Sequence, residues 1–100
     1  MIVTVFRSRL KPGNQEEYSR TAARMSELAR SMPGYVSHKT FTAEDGERVT
    51  IVEFDSKENL KGWSTYPEHA QAKLRGREAF YSEYRIQVCE VLRESAFQAQ

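Results

Sequence analysis

One pattern constrains this chain more than any other. Its apolar residues alternate with a period of two, switch to a helical period, and then run through the same cycle again. "IVTVFRSRL" (Ile2 to Leu10) is β-branched and alternating, as a strand requires. After the turn "KPGN", Tyr18, Ala22, Met25, Ala29 and Met32 recur at intervals of four, three, four and three, which places them on one helical stripe. Glu16 and Glu17 in its first turn and Arg30 near its end suit the helix dipole. "PGY" (Pro33 to Tyr35) stops this helix. "YVSHKTFTA" and "RVTIVEF" read as two strands joined at "EDGE", a hairpin turn with the favoured Asp-Gly pair. Asp55 or Ser56 caps the short helix "KENLKGW", and Pro67 opens another, "PEHAQAKL", where a missing N–H has no helical partner to lose. Gly76 ends or bends it. "YSEYRIQVCEVLR" is the last strand, and "ESAFQAQ" is a frayed tail.

Strand, helix, strand, strand, helix, strand predicts an α+β fold of the ferredoxin-like βαββαβ kind. Its sheet has four antiparallel strands, with the helices on one face. One hundred residues hold one core, so a single domain is expected over 1–94, with a C-terminal tail over 95–100. Both faces of the sheet are partly apolar. Tyr84, Ile86 and Val88 oppose Cys89 and Val91; Val49 and Ile51 oppose Val52 and Phe54; Val3 and Val5 oppose Ile2 and Phe6. Helices cover only one face. The same face of a second copy is the simplest cover for the other, which predicts a homodimer.

Composition removes several function classes. Lys plus Arg number 15 against 14 for Asp plus Glu, so no strong field draws the chain to nucleic acid or an anionic membrane. "RVTIVEFD" lacks the glycine-aromatic signature of an RNA-reading sheet. There is no phosphate loop, "HExxH" or "GxSxG". His38, His69 and Cys89 sit on three different elements without ligand spacing, so no metal is expected. "MIVTVF" is too short an apolar run for a signal peptide or a membrane span, and a lone cysteine forms no internal disulfide. The expectation is a cytoplasmic protein with no membrane partner.

The chemistry-bearing stretch is "NLKGWSTYPEHAQAKLRG", Asn59 to Gly76, with the only tryptophan, Trp63, six residues before His69. Leu60 and Trp63 share a helical face. Pro67, Ala70 and Leu74 form the apolar stripe of the next helix, and His69 lies about 100° from Ala70, at its margin. Two readings stay open. Trp63 is a core anchor and His69 a surface residue, or Trp63, Tyr66 and His69 converge on the gap between helices and sheet. There a histidine titrating near neutrality acts as base or donor. His38 follows the same logic, against the alternative of a hydrogen-bonded structural histidine.

"MPGYVSHKTF", "RVTIVEFDSKENLKGW" and "PEHAQAKLRGREAFYSEYRIQVCEV" together resemble the antibiotic biosynthesis monooxygenase family of small dimeric α+β barrels, from Ile2 to about Arg93. That family holds cofactor-independent quinone-forming monooxygenases, heme-degrading monooxygenases and a sugar-phosphate isomerase class. Trp63 matches the tryptophan of the heme-degrading members. Ser8, however, stands where they carry asparagine, and Lys73 stands near their histidine, leaving His69 four residues early. Heme degradation is therefore disfavoured. The resemblance implies a monooxygenase that needs no cofactor and acts on a small phenol- or hydroquinone-like aromatic. His69 would be the base, Trp63 N–H or Tyr66 the donor, and Tyr35, His38 and Phe41 the pocket walls. The alternatives are an isomerase of a small oxygenated metabolite using the same base, and a non-catalytic, ligand-binding or stress-associated barrel.

Overall fold

The computed structural model describes residues 1–100. The elements are β1 (Ile2–Leu10), α1 (Gln15–Ser31), β2 (Tyr35–Thr42), β3 (Arg48–Phe54), α2 (Lys57–Ser64), α3 (Pro67–Arg75) and β4 (Tyr81–Glu90). Each boundary has a local cause. Between α1 and β2, the Tyr35 N–H donates to the Met32 carbonyl at 3.2 Å across Pro33 and Gly34, and Gly34 has φ +78°. That is the turn Pro-Gly favours. A Cβ at Gly34 would overlap the side chains of Asn59 and Asp55. Ser56 is the cap of α2, its hydroxyl accepting from the Asn59 N–H at 3.1 Å.

The α-helix "PEHAQAKL" ends at Arg75 with Gly76 as its C-cap, but the chain does not leave helical structure there. It runs on into a π-helical turn, Gly76–Phe80. Gly76 is needed there for space, since a Cβ would sit 2.8 Å from the Tyr81 ring. The last strand ends at Glu90, earlier than its apolar pattern suggests. The Val91 N–H donates to the Met1 carbonyl at 3.1 Å, and 91–100 carry no regular structure.

The strands order β2-β3-β1-β4 with every neighbouring pair antiparallel, the ferredoxin-like sheet. Register sorts the side chains by face. Ile2, Thr4, Phe6 and Ser8 of β1 share the helix side with Phe54 and Val52 of β3 and with Tyr84, Ile86 and Val88 of β4. Val3, Val5, Arg7 and Arg9 share the opposite side with Glu53, Ile51 and Val49 and with Cys89, Gln87 and Arg85. On β2 the register shifts between Tyr35 and Ser37. This bulge at Val36 puts Tyr35 and His38 on the helix side, and Ser37, Lys39 and Phe41 on the other.

The core is small: Leu28, Ala29, Phe54 and Trp63 are buried together, with Met25, Val52 and Leu60 against them. Only eight of the hundred residues are buried, because no element of the chain covers the far side of the sheet. A second, aromatic group closes the other end of the helix layer. Phe6, Tyr18, Phe80 and Tyr81 meet edge to face there at 5.4 to 6.1 Å. The helix side of β4 is bare as well, with Tyr84, Ile86 and Val88 at 38, 45 and 61% exposure.

Candidate functional site

Two short helices meeting at Thr65 and Tyr66 build the candidate site. Trp63 sits at the end of α2 and anchors in the core, 7% exposed, against Leu28, Ala29 and Phe54. Pro67 starts α3 at once, so His69 returns over Trp63 within six residues. The two rings lie parallel, 3.9 Å between centres and 11° between planes. His69 Nδ1 is 3.0 Å from the Trp63 carbonyl. A carbonyl only accepts, so Nδ1 carries the proton and Nε2 keeps a lone pair. Burial pushes the His69 pKa below its usual 6.5; the bond to Trp63 opposes this and the Lys73 charge adds to it. The result is a neutral imidazole of fixed tautomer.

Tyr66 belongs to the same cluster. Its ring is 6.5 Å from that of Trp63 at 27°, and it is 37% exposed. The Trp63 indole N–H makes no hydrogen bond within the chain.

Lys73, one turn after His69, is a member of the site that sequence reasoning placed only as a substitute for another residue. Its Nζ donates to Ser64 Oγ at 2.9 Å. Burial first, and then Arg77, hold its pKa below the usual lysine value, while Tyr84 raises it. The available signal was helical spacing: 69 and 73 are i and i+4 on one face.

Tyr35 and His38 form a separate cluster at the far side of the core. The Tyr35 hydroxyl is 2.7 Å from His38 Nδ1, and Ser26 Oγ of α1 is 2.9 Å from His38 Nε2. Both ring nitrogens are engaged, so His38 ties α1 to β2. Its pKa is lowered by burial and by Arg30. Phe41 is with neither cluster. It lies on the opposite sheet face, 49% exposed, with the Lys39 amine 5.6 Å over its ring. The bulge at Val36 is the reason: without it, Tyr35 and Phe41 would share a side.

Two open surface grooves lie elsewhere. One, of about 590 Å³, is lined by Gly13, Asn14 and the polar first turns of α1, and the other, about 330 Å³, lies between α1 and α3 beside Arg24 and Glu68. Neither includes Trp63 or His69. What the Trp63–His69 pair has is an apolar sheet beyond it. Phe6, Ile86 and Val88 lie on the same side of the sheet as the helices, and among them the buried Thr4 hydroxyl has no hydrogen-bond partner. No three His, Cys, Asp or Glu side chains converge as a cation-binding group. No helix is long and apolar enough to cross a membrane.

Residues 1–74 match the family model described as antibiotic biosynthesis monooxygenase. The chain is 34% identical over 91 residues to the uncharacterized protein YqjZ of Bacillus subtilis, covering 91% of this chain and 80% of that one. Among solved structures it resembles Rv0793 from Mycobacterium tuberculosis, with a TM-score of 0.81 at 18% identity over 95% of this chain and 98% of the other. It also resembles SnoaB, a cofactor-independent oxygenase from Streptomyces nogalater, with a TM-score of 0.78 at 16% identity over 93% and 94%. At such identities the two structures speak to fold alone.

Proposed function

Because the chain belongs to the antibiotic biosynthesis monooxygenase family, we propose that it is a homodimeric monooxygenase that oxygenates a small phenol- or hydroquinone-like aromatic without a cofactor. The observation that carries this reading is the His69 imidazole, held neutral by burial with Nδ1 committed to the Trp63 carbonyl. Its free Nε2 takes the substrate proton. The electron-rich anion that results is stabilised by the Lys73 ammonium, with the Trp63 N–H or the Tyr66 hydroxyl as donor. The anion passes one electron to dioxygen, and the two radicals combine at carbon. Loss of water from the hydroperoxide then leaves the quinone carbonyl, so one oxygen atom enters the product and the other leaves as water. SnoaB's description as a cofactor-independent oxygenase supports the class. The bare apolar side of β4 supports an aromatic substrate, and the uncovered sheet face with Val3, Val5 and Ile51 supports the dimer.

Dioxygen uptake tests this, using the chelator-treated protein and a panel of anthrone-like and hydroquinone-like substrates. Uptake is expected to survive chelation, to match product one to one, and to fall to the autoxidation rate in His69→Ala. Equal turnover without oxygen would point to the isomerase alternative. A folded His69→Ala protein with unchanged turnover would remove the base.

A further inference from the structure

The open face of the sheet carries charges that the chain pairs for itself, and three, Lys39, Arg85 and Glu53, that it leaves without an opposite charge; of these Lys39 is engaged by an aromatic ring. Arg7 is held by both oxygens of Glu47, at 3.0 and 2.9 Å. Arg9 reaches Asp45 at 2.8 Å and Glu83 at 3.4 Å. Lys39 lies over the Phe41 ring. Arg85 makes no ion pair or hydrogen bond and stands directly opposite Arg7, a like-charge pair across β1 and β4. Glu47 already neutralises Arg7, so Arg85 is the member of this pair left without an anion. Glu53 is the complement: its carboxylate receives only the Ser37 hydroxyl and has no cationic partner.

Register gives these two groups a defined relation. Glu53 pairs with Val3, on the β3 side of β1, and Arg85 pairs with Arg7, on the β4 side. Val5 is two residues from each along β1, so it is the midpoint between them. A two-fold axis lying in the interface, through Val5 and perpendicular to the Glu53–Arg85 line, exchanges the two positions. It sets Val5 on its own symmetry mate and each Glu53 against the other copy's Arg85.

We infer that the open face docks on a second copy of this chain through two reciprocal Arg85–Glu53 ion pairs flanking a Val5–Val5 centre. This rests on the homodimer proposed above and adds what fixes its register. The ion pairs act chiefly in alignment, since sliding the two sheets separates each Glu53 from the Arg85 it faces.

Sedimentation of the full chain over a concentration series tests both layers. Arg85→Glu and Glu53→Arg are each expected to raise the dimer Kd by at least about tenfold, and the double reversal to recover it to within about threefold. Arg85→Glu sets a carboxylate opposite Arg7 at an exposed position, and circular dichroism checks that it folds. If Glu53→Arg fails to fold by circular dichroism, Arg85→Gln and Glu53→Gln replace the reversals, with a weaker, less salt-dependent dimer expected. A monomeric wild type at micromolar concentration would overturn the homodimer and this inference with it. A wild-type dimer indifferent to the substitutions, or a double reversal that recovers nothing, would overturn the pairing alone.

Discussion

The imidazole of His69 lies flat on the indole of Trp63 at 3.9 Å while Nδ1 is bonded to the carbonyl of that same residue. One residue thus fixes both the plane and the tautomer of the histidine. Because Trp63 is itself locked among Leu28, Ala29 and Phe54, the imidazole inherits the rigidity of the core. Trp63 is packing, and as packing it orients His69.

Trp63→Ala removes the largest member of a small core and is expected to cost about 3–5 kcal/mol in urea denaturation. With the stack gone, the His69 pKa should move back up toward 6.5, because burial is the main cause of its depression. An NMR titration of the His69 ring reads this directly. A pKa that stays depressed in a folded variant would show that Trp63 does not supply the burial.

His69→Ala loses the proposed base and the stack together. The stack contributes about 0.5–1.5 kcal/mol of stability, while turnover of an accepted substrate should fall by about 10²–10⁴-fold. His69→Phe keeps the stack and loses the base. It should lose only about 1 kcal/mol of stability, from the missing bond to the Trp63 carbonyl, and match His69→Ala in turnover.

The pH dependence follows from the sign of two shifts. His69 and His38 both have folded pKa values below 6.5, so the unfolded chain binds protons more readily than the folded one in that window. Their contribution to stability is fully present above about pH 6.5 and is lost as pH falls through the folded values. Urea midpoints between pH 5 and 8 should be flat above 6.5 and fall below it. The acid limb of kcat/KM should also lie below 6.5, and His69→Phe should remove His69's share of the stability slope.

Gly34→Ala is expected to destabilise by about 1–3 kcal/mol, because φ is +78° and a Cβ would displace the Asp55 and Asn59 side chains. Gly13→Ala, at φ +90° but with open space around it, should cost less. Thermal melts of the pair separate backbone strain from crowding.

Phe41→Ala should leave turnover of any accepted substrate within about twofold, because its side chain is on the sheet face away from His69. Steady-state kinetics at saturating protein association checks this. A large loss would mean that the partner's copy reaches the site.

Order and type of element were legible in the sequence because the period-two and helical segments are long and well punctuated. Pro33-Gly34, Asp45-Gly46 and Pro67 each mark a real boundary. The convergence of Trp63, Tyr66 and His69 was legible for the same reason, being local to two short helices. Two features were not. The bulge at Val36 leaves no mark in the pattern of "YVSHKTFTA", yet it reverses which residues accompany Tyr35. The π-helical turn after Gly76 depends on Tyr81 packing where a side chain would have been, a contact no spacing rule contains. Lys73 fell between the two. Its spacing from His69 was visible, but its partial burial and its bond to Ser64 are tertiary facts.

The bulge at Val36 has one more consequence. β2 is an outer strand, and its unpaired backbone groups would offer a template on which stray chains add strand by strand into aggregates. An irregular step near its start, followed by Lys39, breaks the even spacing of donors and acceptors that such growth needs. The residue that separates Tyr35 from Phe41 also works against a fifth strand.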